Sequence, residues 1–224
     1  MLRHALLIAW KDLRIEVRSK EIFATMAFFG TLLAVIDSFA FPNDPAAVRA
    51  AAPSMVWVAL ALTGTLALGR AFDRERENDT MRALLLAPVP RLSVFLGKAM
   101  AMAVLVLAVA IVIVPLLALF MGAGLFDHLF DLAIAVVLGA IGIAVIGSVF
   151  AATLLKVRSR DVLLPVILYP LLIPLFVAGT KVTAELLALK PNLEIATYWT
   201  RFLGTYDAAF LVLSLWTFES LVIE

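Results

Sequence analysis

AMAMAVLVLAVAIVIVPLLALFMG, residues 99–122, is the stretch that decides the fold. It is an apolar run without a charged side chain, entered at Lys98. A helix needs about 20 mostly apolar residues to cross the hydrocarbon core of a bilayer. The whole chain shares this character. Of its 224 residues 64% are hydrophobic and 16% charged, and the mean hydropathy is +1.07. Soluble domains are usually about 45–50% apolar and about 25% charged. A single core in water cannot take up that excess, so lipid is its solvent.

Further apolar stretches flank the central one. Before it lie 22–41, bounded by Lys20, Glu21 and then Pro42-Asn43-Asp44-Pro45, and 51–69, which stops at Arg70. After it lie 132–155, which stops at Lys156, 162–180, which starts at Asp161, and 202–223. The 162–180 stretch contains Pro165, Pro170 and Pro174, which predicts a kinked or partly broken helix. Gly139, Gly142 and Gly147 predict close helix approach in 132–155. Residues 185–198 are mixed and predict an interfacial helix, with Tyr198 and Trp199 at headgroup level. The expected fold is all-α: one polytopic membrane domain over 1–224, with six transmembrane helices behind an N-terminal amphipathic helix.

Charge sets the orientation. Six spans place both termini on one side. Fourteen of the 18 Lys and Arg residues then fall in the N-terminus, 70–98 and 156–161, against four on the other side: Arg49, Lys181, Lys190 and Arg201. The positive-inside bias puts both termini in the cytoplasm. The opening MLRHALLIAWKDLRIEVRSKE, residues 1–21, is too charged after Trp10 for a cleaved signal peptide. Leu6, Leu7, Trp10, Leu13 and Val17 recur at helical spacing among Lys11, Arg14, Arg18 and Lys20. Such a helix can lie in the interface as an elbow beside the bundle, or simply supply the charged flank that sets topology.

The longest inner segment is GRAFDRERENDTMRALLLAPVPRLSVFLGK, residues 69–98. Asp73, Glu75, Glu77 and Asp79 lie in a dense mixed charge run. A short apolar run with Leu84 and Leu85 follows, and Pro88 and Pro90 then break any helix. A solvated loop has no need of those leucines. A short helix with an apolar face and a rigid proline turn suits docking of a soluble partner, with the acidic residues pairing to its basic groups. The alternative places the leucines in the lipid interface.

Several function classes drop out. A net charge of +1 carries no nucleic-acid signature. Without cysteine there is no disulfide, thiolate or cysteine-ligated metal. His4 and His128 fall on opposite sides of the membrane, so they form no joint metal site. His128 beside Asp127 and Asp131 is read as a solvated turn. No glycine-rich phosphate loop is present, so ATP-driven work needs a separate subunit. Apart from Asp37 near an outer end, the span interiors are read as nearly bare of ionisable groups, which speaks against an intramembrane enzyme.

Several stretches, in order, carry a resemblance: WKDLRIE at 10–16, APSMVWVA at 52–59, FDRERENDTM at 72–81, LLLAPVP at 84–90 with Gly97-Lys98, RSRDVLLP at 158–165 and YPLLIP at 169–174. Together they resemble the haem exporter protein B family, the membrane subunit of the cytochrome c maturation ABC transporter and a branch of the six-span ABC-2-type exporter permeases. Ser54 stands where that family usually has glycine. The resemblance implies a non-catalytic permease subunit in the bacterial inner membrane. Its implied partners are a cytoplasmic ATPase subunit that binds ATP, a second permease copy and haem-handling membrane proteins. Haem would be the cargo, with no residues of this chain assigned to bind it. The work done would be haem export or release of a haem-loaded periplasmic chaperone. A generic exporter permease for another hydrophobic cargo is the competing reading, and a structural membrane scaffold a third.

Overall fold

The computed structural model describes residues 1–40, 44–77, 88–121, 124–154, 157 and 160–223, without the side chains of 73–77, 121, 160–161 and 218–223. Among the described residues the fold is all-helical. The helices are α1 (Leu2–Ser19), α2 (Glu21–Ala40), α3 (Pro45–Glu77), α4 (Arg91–Met121), α5 (Leu129–Thr153), α6 (Arg160–Leu186) and α7 (Leu193–Ile223). Five of them, α2 to α6, are long and apolar enough to cross a membrane. They hold the expected spans 51–69 and 162–180 in full and most of 22–41, 99–122 and 132–155, whose last residues 41, 122 and 155 lie outside the described residues. The expected span 202–223 lies within α7. The described part of that helix carries Glu194, Arg201 and Asp207, and it falls outside the apolar set. The chain is a multi-pass membrane protein.

The helices overrun the apolar stretches because caps, not hydropathy, set their ends. Asp44 Oδ1 accepts the Ala46 and Ala47 amides at 3.0 and 3.1 Å, and Pro45 opens the helix. That is the preferred chemistry of a helix start, and it begins α3 ahead of residue 51. Asn192 Oδ1 likewise accepts the Glu194 and Ile195 amides at 3.1 and 3.2 Å. The separate interfacial helix expected over 185–198 is therefore corrected. Residues 185–186 end α6, a short turn follows, and Tyr198 and Trp199 sit in the first turns of α7.

Of the kinked or partly broken helix expected at the prolines, the partial break is not seen: α6 runs as one helix through Pro165, Pro170 and Pro174. Each proline leaves the carbonyl four residues earlier without its amide donor. Pro174 does this to Pro170. At the next residue the Tyr206 hydroxyl of α7 donates to the Leu171 carbonyl. Leu171 is the neighbour of the freed Pro170 carbonyl, so this bond ties α7 to α6 at the interrupted turn without replacing the missing amide.

α5 runs through the middle of the bundle and packs against α3, α4, α6 and α7. Its run from Gly139 to Ala151 is almost continuously buried. The expected close approach is seen at Trp57 of α3, which is 1% exposed. Its ring fills the space that a Cβ would take at both Gly139 of α5 and Gly179 of α6. The indole N–H donates to Thr183 Oγ1 at 3.0 Å, and that hydroxyl donates to the Gly179 carbonyl at 2.9 Å. Small residues let three backbones close on one aromatic ring. Phe28, Phe39, Ile111, Leu119 and Phe130 are exposed on the outside, as suits a surface wetted by lipid.

Candidate functional site

The predicted coupling segment begins on a helix and not in a loop. Phe72, 1% exposed, ends the buried part of α3, and the helix continues to Glu77. Asp73, Glu75 and Glu77 therefore lie on helical backbone, which corrects the expected loop start at residue 70. Their side chains, and Asp79, Leu84 and Leu85 altogether, lie outside the described residues. Pro88 and Pro90 are exposed at the bend before α4, and the half-buried Val89 between them packs on the core. The Ser93 amide donates to the Pro90 carbonyl at 2.8 Å, which closes the first turn of α4.

This far end of the segment is fastened to α1. Gly97 permits the contact: a Cβ there would stand 2.8 Å from both the Ala5 carbonyl oxygen and Ile8 Cβ. Ala5, Ile8 and Ala9 of α1 are buried accordingly. The Ser93 hydroxyl donates to the Met1 carbonyl at 3.1 Å. One turn beyond Gly97's contact, Lys98 Nζ donates to Asp12 Oδ2 at 2.6 Å. Lys11 also lies 2.9 Å from Asp12, at a more open position. Of the predicted apolar stripe, Leu6, Leu7, Trp10 and Val17 remain exposed, while Leu13 is half-buried and packs on the core. Thus α1 packs beside the bundle through Ala5, Ile8, Ala9 and Leu13 and leaves most of its large apolar side chains outside.

The other end of α1 is tied to α2. Lys20 takes a left-handed conformation, φ 56°, and turns the chain between the two helices. Glu16, 4% exposed, reaches over this turn. Its Oε1 accepts the Phe23 amide at 2.8 Å and its Oε2 accepts the Ser19 hydroxyl at 3.4 Å. A carboxylate on the first amides of α2 also suits the positive end of that helix. α1 therefore brackets two starts, those of α2 and α4, and the second is where the coupling segment rejoins the bundle.

A second polar feature lies deeper. Asp207 of α7 is 5% exposed, and neither carboxylate oxygen has a hydrogen-bond partner among the described residues. It occupies the space over Gly142 of α5, where a Cβ would collide with Asp207 Oδ1 and with Leu175 of α6. Reading the span interiors as nearly bare of ionisable groups overlooks it. The signal was a lone carboxylate among Trp199, Phe202, Tyr206 and Phe210, the aromatic side of the same helix. An ionisable residue in such a place marks function by default. Among the described residues no three His, Asp or Glu side chains gather as metal ligands would.

With this geometry in view, the model of the family described as CcmB protein matches residues 3–222. Similar relatives are all named heme exporter protein B. That of Rhodobacter capsulatus is 26% identical over 189 residues, covering 83% of this chain and 86% of the relative. That of Pseudomonas aeruginosa is 26% identical over 176 residues, covering 79% and 78%. That of Escherichia coli K12 is 32% identical over 97 residues, covering 41% and 44%.

Proposed function

The chain belongs to the CcmB protein family, and from that membership we propose that it is the permease subunit of an ABC exporter serving c-type cytochrome biogenesis. The observation that carries this reading is the match from residue 3 to residue 222, which spans every helix described above. The name shared by the relatives points to haem as the cargo. In this proposal α7 is the sixth span, so the fold is that of an ABC-2-type exporter. Both termini face the cytoplasm of a bacterium, and the protein sits in the inner membrane. α1 lies as an elbow in the cytoplasmic interface. A cytoplasmic ATPase subunit binds ATP, a second copy completes the permease, and haem-handling membrane proteins attend it. ATP hydrolysis then drives haem export or frees a haem-loaded chaperone on the far side.

Residues 72–98 transmit the force in this reading. Asp73, Glu75, Glu77 and Asp79 pair with basic groups on the ATPase, which favours registry over raw affinity. Leu84 and Leu85 supply the buried contact, and Pro88 and Pro90 stiffen the return. The bracket made by α1 supports the idea: a segment joined to α4 at Gly97 and Lys98 moves with two helices and not one.

One experiment tests cargo and coupling together. In a strain lacking the gene, covalent haem attachment to c-type cytochromes is expected to vanish while b-type cytochromes persist. The intact gene restores attachment. Burying one leucine is worth roughly 1.5–3 kcal/mol, and tenfold in affinity needs about 1.4 kcal/mol. Leu84→Asp or Leu85→Asp should thus cut the co-purified ATPase at least tenfold at unchanged membrane level. Normal c-type cytochromes in the deletion refute the cargo. Undiminished ATPase with both leucine variants refutes the docking role.

A further inference from the structure

A cleft of about 510 Å³ opens sideways between α2, α3 and α6. Leu32, Leu62, Leu66 and Leu164 line it, and Arg70 and Tyr169 bring the polar groups. Its outer wall is open, since Leu32 and Leu62 are about 40% exposed. From this cleft we propose that the protein carries a binding site for one anionic phospholipid, with an acyl chain in the cleft and the phosphate on the Arg70 guanidinium.

Two observations specify the occupant. The first is Gly69. At Gly30, Gly64, Gly139, Gly142, Gly147 and Gly179 an added Cβ would meet a neighbouring side chain, but at Gly69, as at Gly204 of α7, it would meet nothing within 4 Å. Gly69 lines the cleft, so the missing side chain leaves room there and does not serve helix contact. Glycine within a helix is less favourable than alanine, so its place here needs another reason. Room that no described side chain fills suits a guest chain. The second observation is charge. Arg70 is exposed, adjoins this opening and makes no ion pair among the described residues. Guanidinium pairs with phosphate in a planar, two-bond geometry, and basic pockets between transmembrane helices take anionic headgroups. The volume lies within the range of about 300–1,000 Å³ usual for small-molecule sites. A lipid chain matches the apolar walls, which carry few polar groups beyond Arg70, Thr65 and Tyr169. The Thr65 hydroxyl is already used on the Ala61 carbonyl at 2.8 Å, so Arg70 and Tyr169 are left to select the headgroup.

The test uses the purified full-length protein in neutral detergent and native mass spectrometry, titrated with phosphatidylglycerol or phosphatidylcholine. Thermal unfolding is followed in parallel. Wild type should retain one phosphatidylglycerol with at least tenfold preference. Arg70→Gln should lose about tenfold in affinity together with the headgroup preference. Gly69→Leu puts a side chain into the cleft at a point where its Cβ meets nothing, and should abolish retention of both lipids, while the lipid-free unfolding midpoint stays the same or rises. Equal retention of both headgroups by wild type overturns the proposal. So does undiminished retention in Gly69→Leu. A shift of Gly69→Leu from dimer to monomer mass, with no lipid bound to wild type, would also overturn it and assign the cleft to a second copy. None of these readings depends on haem or on the ATPase, so the site and the transport role fail separately.

Discussion

Lys98 and Asp207 are each 5% exposed, yet the protein treats the two buried charges in opposite ways. Lys98, where α1 meets α4, has Asp12 at 2.6 Å. Asp207, among α5, α6 and α7, has neither oxygen partnered. A buried ion pair is weak as a source of stability, but removing one member strands the other and is costly. A buried carboxylate without partners is a cost as it stands. The end of the bundle is thus fastened by a charge, and its middle carries one that packing gives no reason to keep. The first is a fixture of the structure. The second is where function should be sought.

The comparison breaks most visibly at Asp12. Asp12→Ala takes the carboxylate away from the buried Lys98 and should lower stability by about 3 kcal/mol. That is the low end of the roughly 3–5 kcal/mol for a broken buried pair, since the Asp12 side chain is 20% exposed and partly screened. The check is the thermal midpoint of the purified protein. The double variant Asp12→Leu with Lys98→Met should recover most of the loss. If the double variant is as damaged as the single one, the charge pair does not fasten α1, and the small-residue contact at Gly97 does so unaided.

At Asp207 the expected sign is reversed. Asp207→Asn keeps the shape that fits over Gly142 and can no longer ionise. The amide is still a buried polar group, so stability should hold, or rise by at most about 1 kcal/mol for the charge that never has to be buried. The same midpoint measurement checks it. A fall of similar size would reveal a group that holds the ionised carboxylate, and the contrast with Lys98 would disappear. A variant that is at least as stable but fails to mature c-type cytochromes would place Asp207 in the transport path.

These two charges also show what the sequence makes legible. Apolar length located α2 to α6, because lipid rewards length and apolarity directly. The caps were visible too, in Asp44-Pro45 and in Asn192 after Pro191, but hydropathy weighs them as loop and so hides the true helix starts. The prolines of α6 read as a kink or a partial break, and the tie that Tyr206 makes to the Leu171 carbonyl at that turn comes from 35 residues away. Lys98 read only as the entrance to a span, since its partner is 86 residues away. No local pattern announces such a pair. Asp207 was hidden by averaging over an apolar stretch. Of the coupling residues, Pro88 and Pro90 are placed at the bend and Asp73, Glu75 and Glu77 on helical backbone, whereas Asp79, Leu84 and Leu85 lie outside the described residues.

The smallest effect sharpens the comparison by separating charge from hydrogen bonding in the same clamp. Ser93 is 0% exposed, and its hydroxyl reaches the Met1 carbonyl at 3.1 Å. Ser93→Ala removes this bond without adding volume. A neutral hydrogen bond nets about 0.5–1.5 kcal/mol when both groups are buried. Here Met1 is 55% exposed, so water can take over its carbonyl and the loss should sit at about 0.5 kcal/mol or below. The global midpoint should scarcely move. What should change is local: amide hydrogen exchange in the first turn of α1 should quicken by about two- to threefold, as 0.5 kcal/mol implies. Exchange around Asp12 should stay as in the parent. If Ser93→Ala instead speeds exchange along the whole of α1, the helix is held mainly from its first turn. The ion pair at Lys98 would then be a consequence of that docking and not its cause.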